Sequence, residues 1–288
     1  MLKQRVLTAI VLLLILLPAL FYPDPRPFCL VMALALTAAA WEWARLQGLS
    51  GGTALGSAAV HAVLCALAWT GGLLDRPLPW LWAVAGLAWV IGVMLLLRAG
   101  VGGWPRIPHA LRWAGGLLVL WLAWLAMAQA RVLGVNFLMS VLVLVWTADI
   151  GAYFAGRAFG LKFTRNKLAP SISPGKSWEG VWGGLASVLL MACVWLWADA
   201  SSRAAVPSLY SRLAAGGWWM LPLGVVFLMA MSVCGDLVES LVKRSAGVKD
   251  SSRLLPGHGG VLDRVDALLP TLPVAMMLVS LMATRSVA

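Results

Sequence analysis

The chain has 288 residues, of which 61% are hydrophobic and 11% charged, with 17 Trp and a mean hydropathy of +0.89. Soluble domains carry roughly 25% charged residues, so a water-soluble fold is excluded. The formal net charge of +11 does not read as nucleic-acid binding, because the cations are distributed by connection between apolar runs.

A bilayer core takes about 20 apolar residues per helix, with a range of about 17–25. Nine charge-free runs meet or approach that length: Val6–Tyr22, Pro27–Trp41, Leu46–Leu74, Pro77–Leu97, Trp113–Ala130, Val132–Ala148, Gly180–Ala198, Leu213–Gly235 and Ala267–Thr284. The second is short and can continue past Glu42. The third is long and holds Gly51, Gly52 and Gly56, so its helix starts later. Transmembrane β-strands would alternate in segments of about 10 residues; these runs do not. Lipid leaves backbone groups no partner outside their own segment, so helices are the solution. Met1–Tyr22 follows Lys3 and Arg5 like a signal peptide, but it lacks a clear small-x-small cleavage site and is read as a retained first helix. The fold predicted is all-α and polytopic, with about nine transmembrane helices. Sixteen of the 22 cations fall in the connections that face one way if the N-terminus is cytoplasmic, which fits the positive-inside rule.

The chain divides by chemistry into residues 1–136, about five helices, and residues 137–288, with two polar loops at 155–177 and 243–265. The first part has three acids, Asp24, Glu42 and Asp75, and nothing with the look of a site. His61 and His109 read as structural, and the four cysteines as small buried hydrophobes. Eight of the eleven acids lie from Asp149 onward. Both polar loops are predicted to face the cytoplasm, which suggests a single site.

Four stretches carry chemistry. In Trp146–Gly160, Asp149, Tyr153 and Arg157 share one helix face. A carboxylate at membrane depth costs at least about 2.5 kcal/mol, so something must offset it: a metal or substrate, or an internal pair with Arg157. In Leu168–Gly180, two prolines and a glycine exclude a helix over 170–175. Ser177 can cap the next helix, and Ser173, Lys176 and Ser177 then surround an N-terminus attractive to phosphate. In Cys234–Arg244, Asp236, Ser240, Lys243 and Arg244 form a polar stripe. In Gly247–Asp266, Gly259-Gly260 permits close backbone approach to a ligand. His258 can hydrogen-bond phosphate there, and Asp263 and Asp266 open the last helix. Carboxylates, lysines, arginines and glycine loops, with no nucleophile elbow and no zinc motif, fit phosphoryl or nucleotidyl transfer with Mg²⁺. The residues name neither the nucleotide nor the lipid.

The stretch Ser240–Pro270 resembles the signature of phosphatidate cytidylyltransferases, also called CDP-diglyceride synthases. Ser240, Lys243, Arg244, Lys249, Asp250, Pro256, His258, Gly259, Gly260, Asp263, Arg264 and Asp266 match it. SPGKSWEG, ADIGAYFAGRAFG and GDLVES look like the bacterial members. The resemblance implies cytidylyl transfer from CTP to phosphatidic acid, giving CDP-diacylglycerol and pyrophosphate with Mg²⁺, at the cytoplasmic face of a bacterial inner membrane. It implies that Asp236 and Asp263 hold the metal, with Asp266 and Asp149 in support. Lys176, Lys243, Arg244, Lys249 and Arg264 would bind the triphosphate and the phosphatidate headgroup. Gly259, Gly260 and His258 would shape the phosphate loop, and Ser173, Ser177, Ser240 and Asp250 would complete the substrate set. A second, monovalent cation and a homodimer are left open. The rivals are a CTP-dependent lipid kinase of the polyprenol or phytol type, which would release CDP instead of pyrophosphate, and a transporter, which would leave the glycine–histidine loop unexplained.

Overall fold

The computed structural model describes residues 2–285, with side chains from Lys3 to Met282; Met1 and residues 286–288 lie outside the described residues. The helices are α1 (Leu2–Phe21), α2 (Arg26–Leu46), α3 (Gly51–Thr70), α4 (Pro79–Ala99), α5 (His109–Leu133), α6 (Val135–Phe159), α7 (Trp178–Ser202), α8 (Leu209–Ala215), α9 (Met220–Ser245), α10 (Leu262–Val265) and α11 (Leu268–Arg285). Among the described residues nine spans are long and apolar enough to cross a membrane, the ninth running from Leu262 to Met282 through α10. The architecture is that of an all-α polytopic membrane protein.

Three local outcomes differ from the sequence reading. The segment after α6 is not wholly irregular: β1 (Lys167–Ala169) and β2 (Ser173–Ser177) pair antiparallel, with Lys167 opposite Ser177 and Ala169 opposite Ser173. Pro170 and Gly175 do exclude a helix there, and the freed backbone groups find partners across the turn instead. α6 also continues one turn further than expected, to Phe159. The eighth apolar run divides into α8 and α9, broken where Gly217 takes φ +130°. Tyr210 on α8 donates to the Ser140 carbonyl at 3.0 Å and anchors the short helix to α6.

Close packing of α6 on α7 depends on small residues. A Cβ at Gly183 would come within 2.0 Å of the Ala155 Cβ, and one at Gly184 within 2.8 Å of the Ala148 carbonyl oxygen. Lipid supplies no hydrophobic drive for helices to associate, so backbones held close by glycine gain the dispersion contacts that keep them together.

Polar contacts alternate between the two ends of the bundle, as nine spans require. At one end the start of α1, the end of α2, the α4–α5 connection, the hairpin and the loop after α9 gather. Thr8 donates to the Pro256 carbonyl at 3.0 Å, and Trp43 packs edge-on against Trp104. His109 bonds the Gln47 carbonyl at 2.9 Å, and Arg244 bonds that of Ile172 at 3.4 Å. At the other end Arg131 donates to the carbonyls of Leu20 and Tyr22, and Gln129 to those of Leu73 and Arg76. There Asn136 bonds Asp199 at 2.8 Å. His61 is fully buried against Thr37 and Cys65, as a structural histidine would be.

Candidate active site

The site is built at the end of the bundle where the start of α1 and four connections meet. α9 supplies a ladder of polar side chains along its last three turns. Glu239 and Lys243, one turn apart, pair at 2.5 Å, and Lys243 reaches on to Asp263 of α10 at 2.7 Å. Glu239 and Asp263 are nearly inaccessible, at 3% and 6% side-chain exposure, so this is a buried acid–base–acid bridge tying α9 to the start of the last span. Its value lies in fixing one geometry, because burying charges offsets much of their Coulomb attraction.

Asp263 does more than hold Lys243. Its oxygens accept the Gly260 amide at 2.7 Å and the Ser251 amide at 3.0 Å. The loop over 246–261 therefore folds back on α10, with Leu255 and Gly259 bridged and Gly257 and Gly259 at φ +77° and +82°. His258 sits in this turn with its Nδ1 buried and without a hydrogen-bond partner. Asp250 lies beside Gly259.

The carboxylate beneath the loop is Glu42, which sequence reasoning set aside. It is fully buried near the end of α2, and it accepts hydrogen bonds from the amides of Val261 at 3.0 Å and Leu262 at 2.7 Å. The hydroxyls of Ser252, at 2.5 Å, and Ser251, at 3.3 Å, also donate to it. The signal was available: a lone acid interrupting an apolar run needs partners to offset its insertion cost. What the sequence did not carry was the identity of partners more than 200 positions away.

Gly260 is where this packing is tightest. A Cβ there would sit 2.0 Å from Ser251 Oγ and 2.5 Å from Glu42 Oε1. Gly260→Ala is therefore expected to displace the loop at a cost of about 1–3 kcal/mol. We expect turnover to fall by about tenfold or more, together with faster proteolytic nicking over 250–260, measured on purified protein.

The second half of the site comes from the hairpin and α6. Lys176, on β2, pairs with Asp236 of α9 at 2.6 Å, and Ser240 donates to the other Asp236 oxygen at 3.2 Å. Asp236 interacts electrostatically with both Asp149 and Asp266, and Lys176 with Asp149, so three acids and one lysine form a group. The alternative of an internal Asp149–Arg157 pair does not form: Arg157 donates to Tyr153 at 3.1 Å. Ser177 caps α7 through the Gly180 amide at 3.2 Å. Glu179 turns back to the Thr164 amide at 2.7 Å and its hydroxyl at 2.8 Å. Ser173 begins β2 beside Ile172, whose carbonyl meets Arg244.

The structure thus joins Asp149, Lys176, Asp236, Ser240 and Asp266 in one group, and Lys243, Ser251, Gly259, Gly260 and Asp263 in another. Arg244, Lys249, Asp250 and Arg264 are exposed at the same end. Among the described residues no three His, Cys, Asp or Glu side chains form a ready metal cage. Asp236, Asp263 and Asp266 nevertheless fit Mg²⁺, which takes one or two carboxylates and completes its shell with water and substrate phosphates. Asp236 has the more open oxygens, with its side chain 32% exposed; Asp266 has one oxygen on the Ala267 amide, and Asp263 would exchange Lys243 for an ion.

The family model of the cytidylyltransferase family matches residues 3–282. This chain belongs to the cytidylyltransferase family. It is 40% identical over 287 residues to a phosphatidate cytidylyltransferase of Pseudomonas aeruginosa, covering 95% of each chain. It is 35% identical over 291 residues to one of Haemophilus influenzae, covering 95% of this chain and 96% of the relative. A relative of the same name from Bacillus subtilis is 37% identical over 148 residues, about half of each chain. The family match begins at α1 and so includes Glu42 as well as the signature loop.

Proposed function

We propose that this protein is an integral membrane nucleotidyltransferase that moves the cytidylyl group of CTP onto phosphatidate, releasing pyrophosphate and CDP-diacylglycerol. The observation that carries the reading is the convergence of the signature loop, Lys176 of the hairpin and the acids of α6, α9 and α10 at one end of the bundle, in a chain that matches the family from residue 3 to 282.

Two polyanions must meet for this reaction, and their mutual repulsion is the main barrier to bringing them together. Lys176, Lys243, Arg244, Lys249 and Arg264 are the cations that would bind the triphosphate and the lipid headgroup. Lys176 and Lys243, both half-buried, are held in place by acids, which removes the need to order them when substrate arrives. The loop glycines would let backbone amides close on the phosphates, with His258 hydrogen-bonding beside them. The phosphatidate oxygen attacks the α-phosphorus, and the bond to pyrophosphate breaks. That oxygen is ionised near neutral pH and needs little help from a base. Asp236, Asp263 and Asp266, with Asp149 in support, would hold Mg²⁺, which when bound would neutralise charge on the phosphates. We place the site on the cytoplasmic side of a bacterial inner membrane. The support is the excess of Lys and Arg in the connections at that end and the solubility of CTP.

The test is pyrophosphate release by purified protein in vesicles. CTP with phosphatidate should yield pyrophosphate in a Mg²⁺-dependent manner, and ATP or GTP should give little. CDP in place of pyrophosphate would transfer the assignment to a lipid kinase; release of neither would end the enzymatic reading.

A further inference from the structure

α4 and α5 are consecutive spans that diverge. α4 packs chiefly on α11 and α9, and α5 on α2 and α11. Between them runs a groove of about 410 Å³, floored by Val238, Glu239 and Val242 of α9 and by Leu262 and Leu269. That is within the usual range for a small-molecule pocket, about 300–1,000 Å³. Its outer edge is formed by the exposed side chains Leu95, Leu111 and Leu118, so it opens where the bilayer would lie. Val238, Glu239, Val242 and Leu262 of the floor lie between Asp236 and Asp263 in the chain, and Glu239 belongs to the Glu239–Lys243–Asp263 bridge.

The walls are apolar with three polar exceptions. Glu239 is occupied with Lys243. The other two are donors: Arg112, in the first turn of α5, has its Nε buried with no hydrogen-bond partner, and so does Trp89 through its indole Nε1. The Arg112 guanidinium lies 5.9 Å from the Trp104 ring, at the end of the groove that shares the α4–α5 connection with the site. Unpartnered buried donors are disfavoured, and a cation at the rim of an apolar trough is complementary to an amphiphile with an anionic head. Two glycines keep the trough open. Gly92 and Gly115 line it from opposite sides, and a Cβ on either would meet nothing within 4 Å.

We propose that the α4–α5 groove is the binding site for the lipid substrate: an acyl chain of phosphatidate lies between Gly92 and Gly115, and Arg112 engages the lipid phosphate on its way to the transfer site. This rests on the reading of the chain as a phosphatidate-dependent transferase. It adds a route through the side of the bundle and a phosphate ligand from the N-terminal half, outside the signature stretch.

Gly115→Phe and Gly92→Leu start from a Cβ that meets nothing within 4 Å, extend into the groove and replace helix-interior glycine, so the protein should still fold. In vesicles of neutral phospholipid, each is expected to raise KM for long-chain phosphatidate by about tenfold or more while KM for CTP stays within about twofold. Arg112→Gln is expected to do the same through the headgroup. A phosphatidate with a diazirine in its acyl chain should label peptides of α4 and α5 in the parent, and Gly115→Phe should abolish that labelling. An unchanged phosphatidate KM, labelling confined to other helices, or a fall in kcat with both KM values unchanged would each overturn the proposal. So would a change in oligomeric state of Gly115→Phe without an effect on lipid KM, which would assign the groove to a second copy. Groove labelling in a parent protein that makes no pyrophosphate would instead sink the activity and leave the groove standing as a lipid site.

Discussion

Asp236→Asn is expected to lower CTP turnover with phosphatidate by about 100- to 1,000-fold, in line with the loss of one preorganised electrostatic group. The substitution keeps shape and removes charge. It leaves Lys176, 2.6 Å away, without its acid, and it takes away one of three interacting carboxylates. Two explanations for the loss are possible, and a double variant separates them. If Asp236 serves only to neutralise and position Lys176, then Asp236→Asn with Lys176→Met removes the stranded cation and should recover much of the lost activity. If Asp236 also engages the cation that bridges the phosphates, the double variant stays as inactive as the single. We expect the second result, together with a weakened Mg²⁺ dependence in any residual turnover. Full Mg²⁺-dependent activity in Asp236→Asn would remove Asp236 from the chemistry.

The second large effect is expected at Glu42, which is a positioning residue. Glu42→Ala strands the amides of Val261 and Leu262 and the hydroxyls of Ser251 and Ser252; Leu262 and Ser251 are buried, Val261 and Ser252 half-buried. Each buried donor left unsatisfied costs about 1–3 kcal/mol, enough in sum to open the loop from α10. We expect turnover to fall by about 100-fold or more, with hydrogen exchange accelerating over 251–262 while α6 and α7 keep their protection. Glu42→Gln should be intermediate. It keeps one acceptor oxygen but turns an NH₂ group toward a donor-lined pocket. Normal loop protection in Glu42→Ala would show that the bridge from Asp263 suffices to hold the loop.

The two residues illustrate different degrees of legibility. Asp236 stood out because it sits in a polar stripe at the end of an apolar run, one turn before Ser240 and two before Lys243. Period and composition alone expose it. Glu42 is far more deeply buried than Asp236 and accepts more hydrogen bonds, yet its neighbours in sequence are Trp41 and Trp43, and nothing local distinguishes a structural acid from one that shapes a site. Lys243 is similar. The sequence offered it as a phosphate ligand, whereas its grip by Glu239 and Asp263 depends on α9 and α10 lying side by side. That approach requires Gly235, where a Cβ would meet the Asp266 carbonyl at 2.5 Å.

The hairpin was hidden for a related reason. Lys167–Ala169 and Ser173–Ser177 are too short and too polar for a strand period to emerge, and only their pairing defines them. The α4–α5 groove has no sequence signature at all. Gly92 and Gly115 look like any glycines in apolar helices until the helices diverge and leave them facing one another.

The sequence by itself determined nine membrane-crossing helices, the end of the bundle that gathers charge, and the stretch that carries the chemistry. These follow from transfer free energies and from the alternation of sides, which act residue by residue and connection by connection. The tertiary structure decided which acid holds which cation, that an acid of the second span anchors a loop near the ninth, and where the bundle is open to lipid. Such choices depend on contacts between segments far apart in the chain, and hydropathy acts alike on every apolar face, whichever neighbour it meets.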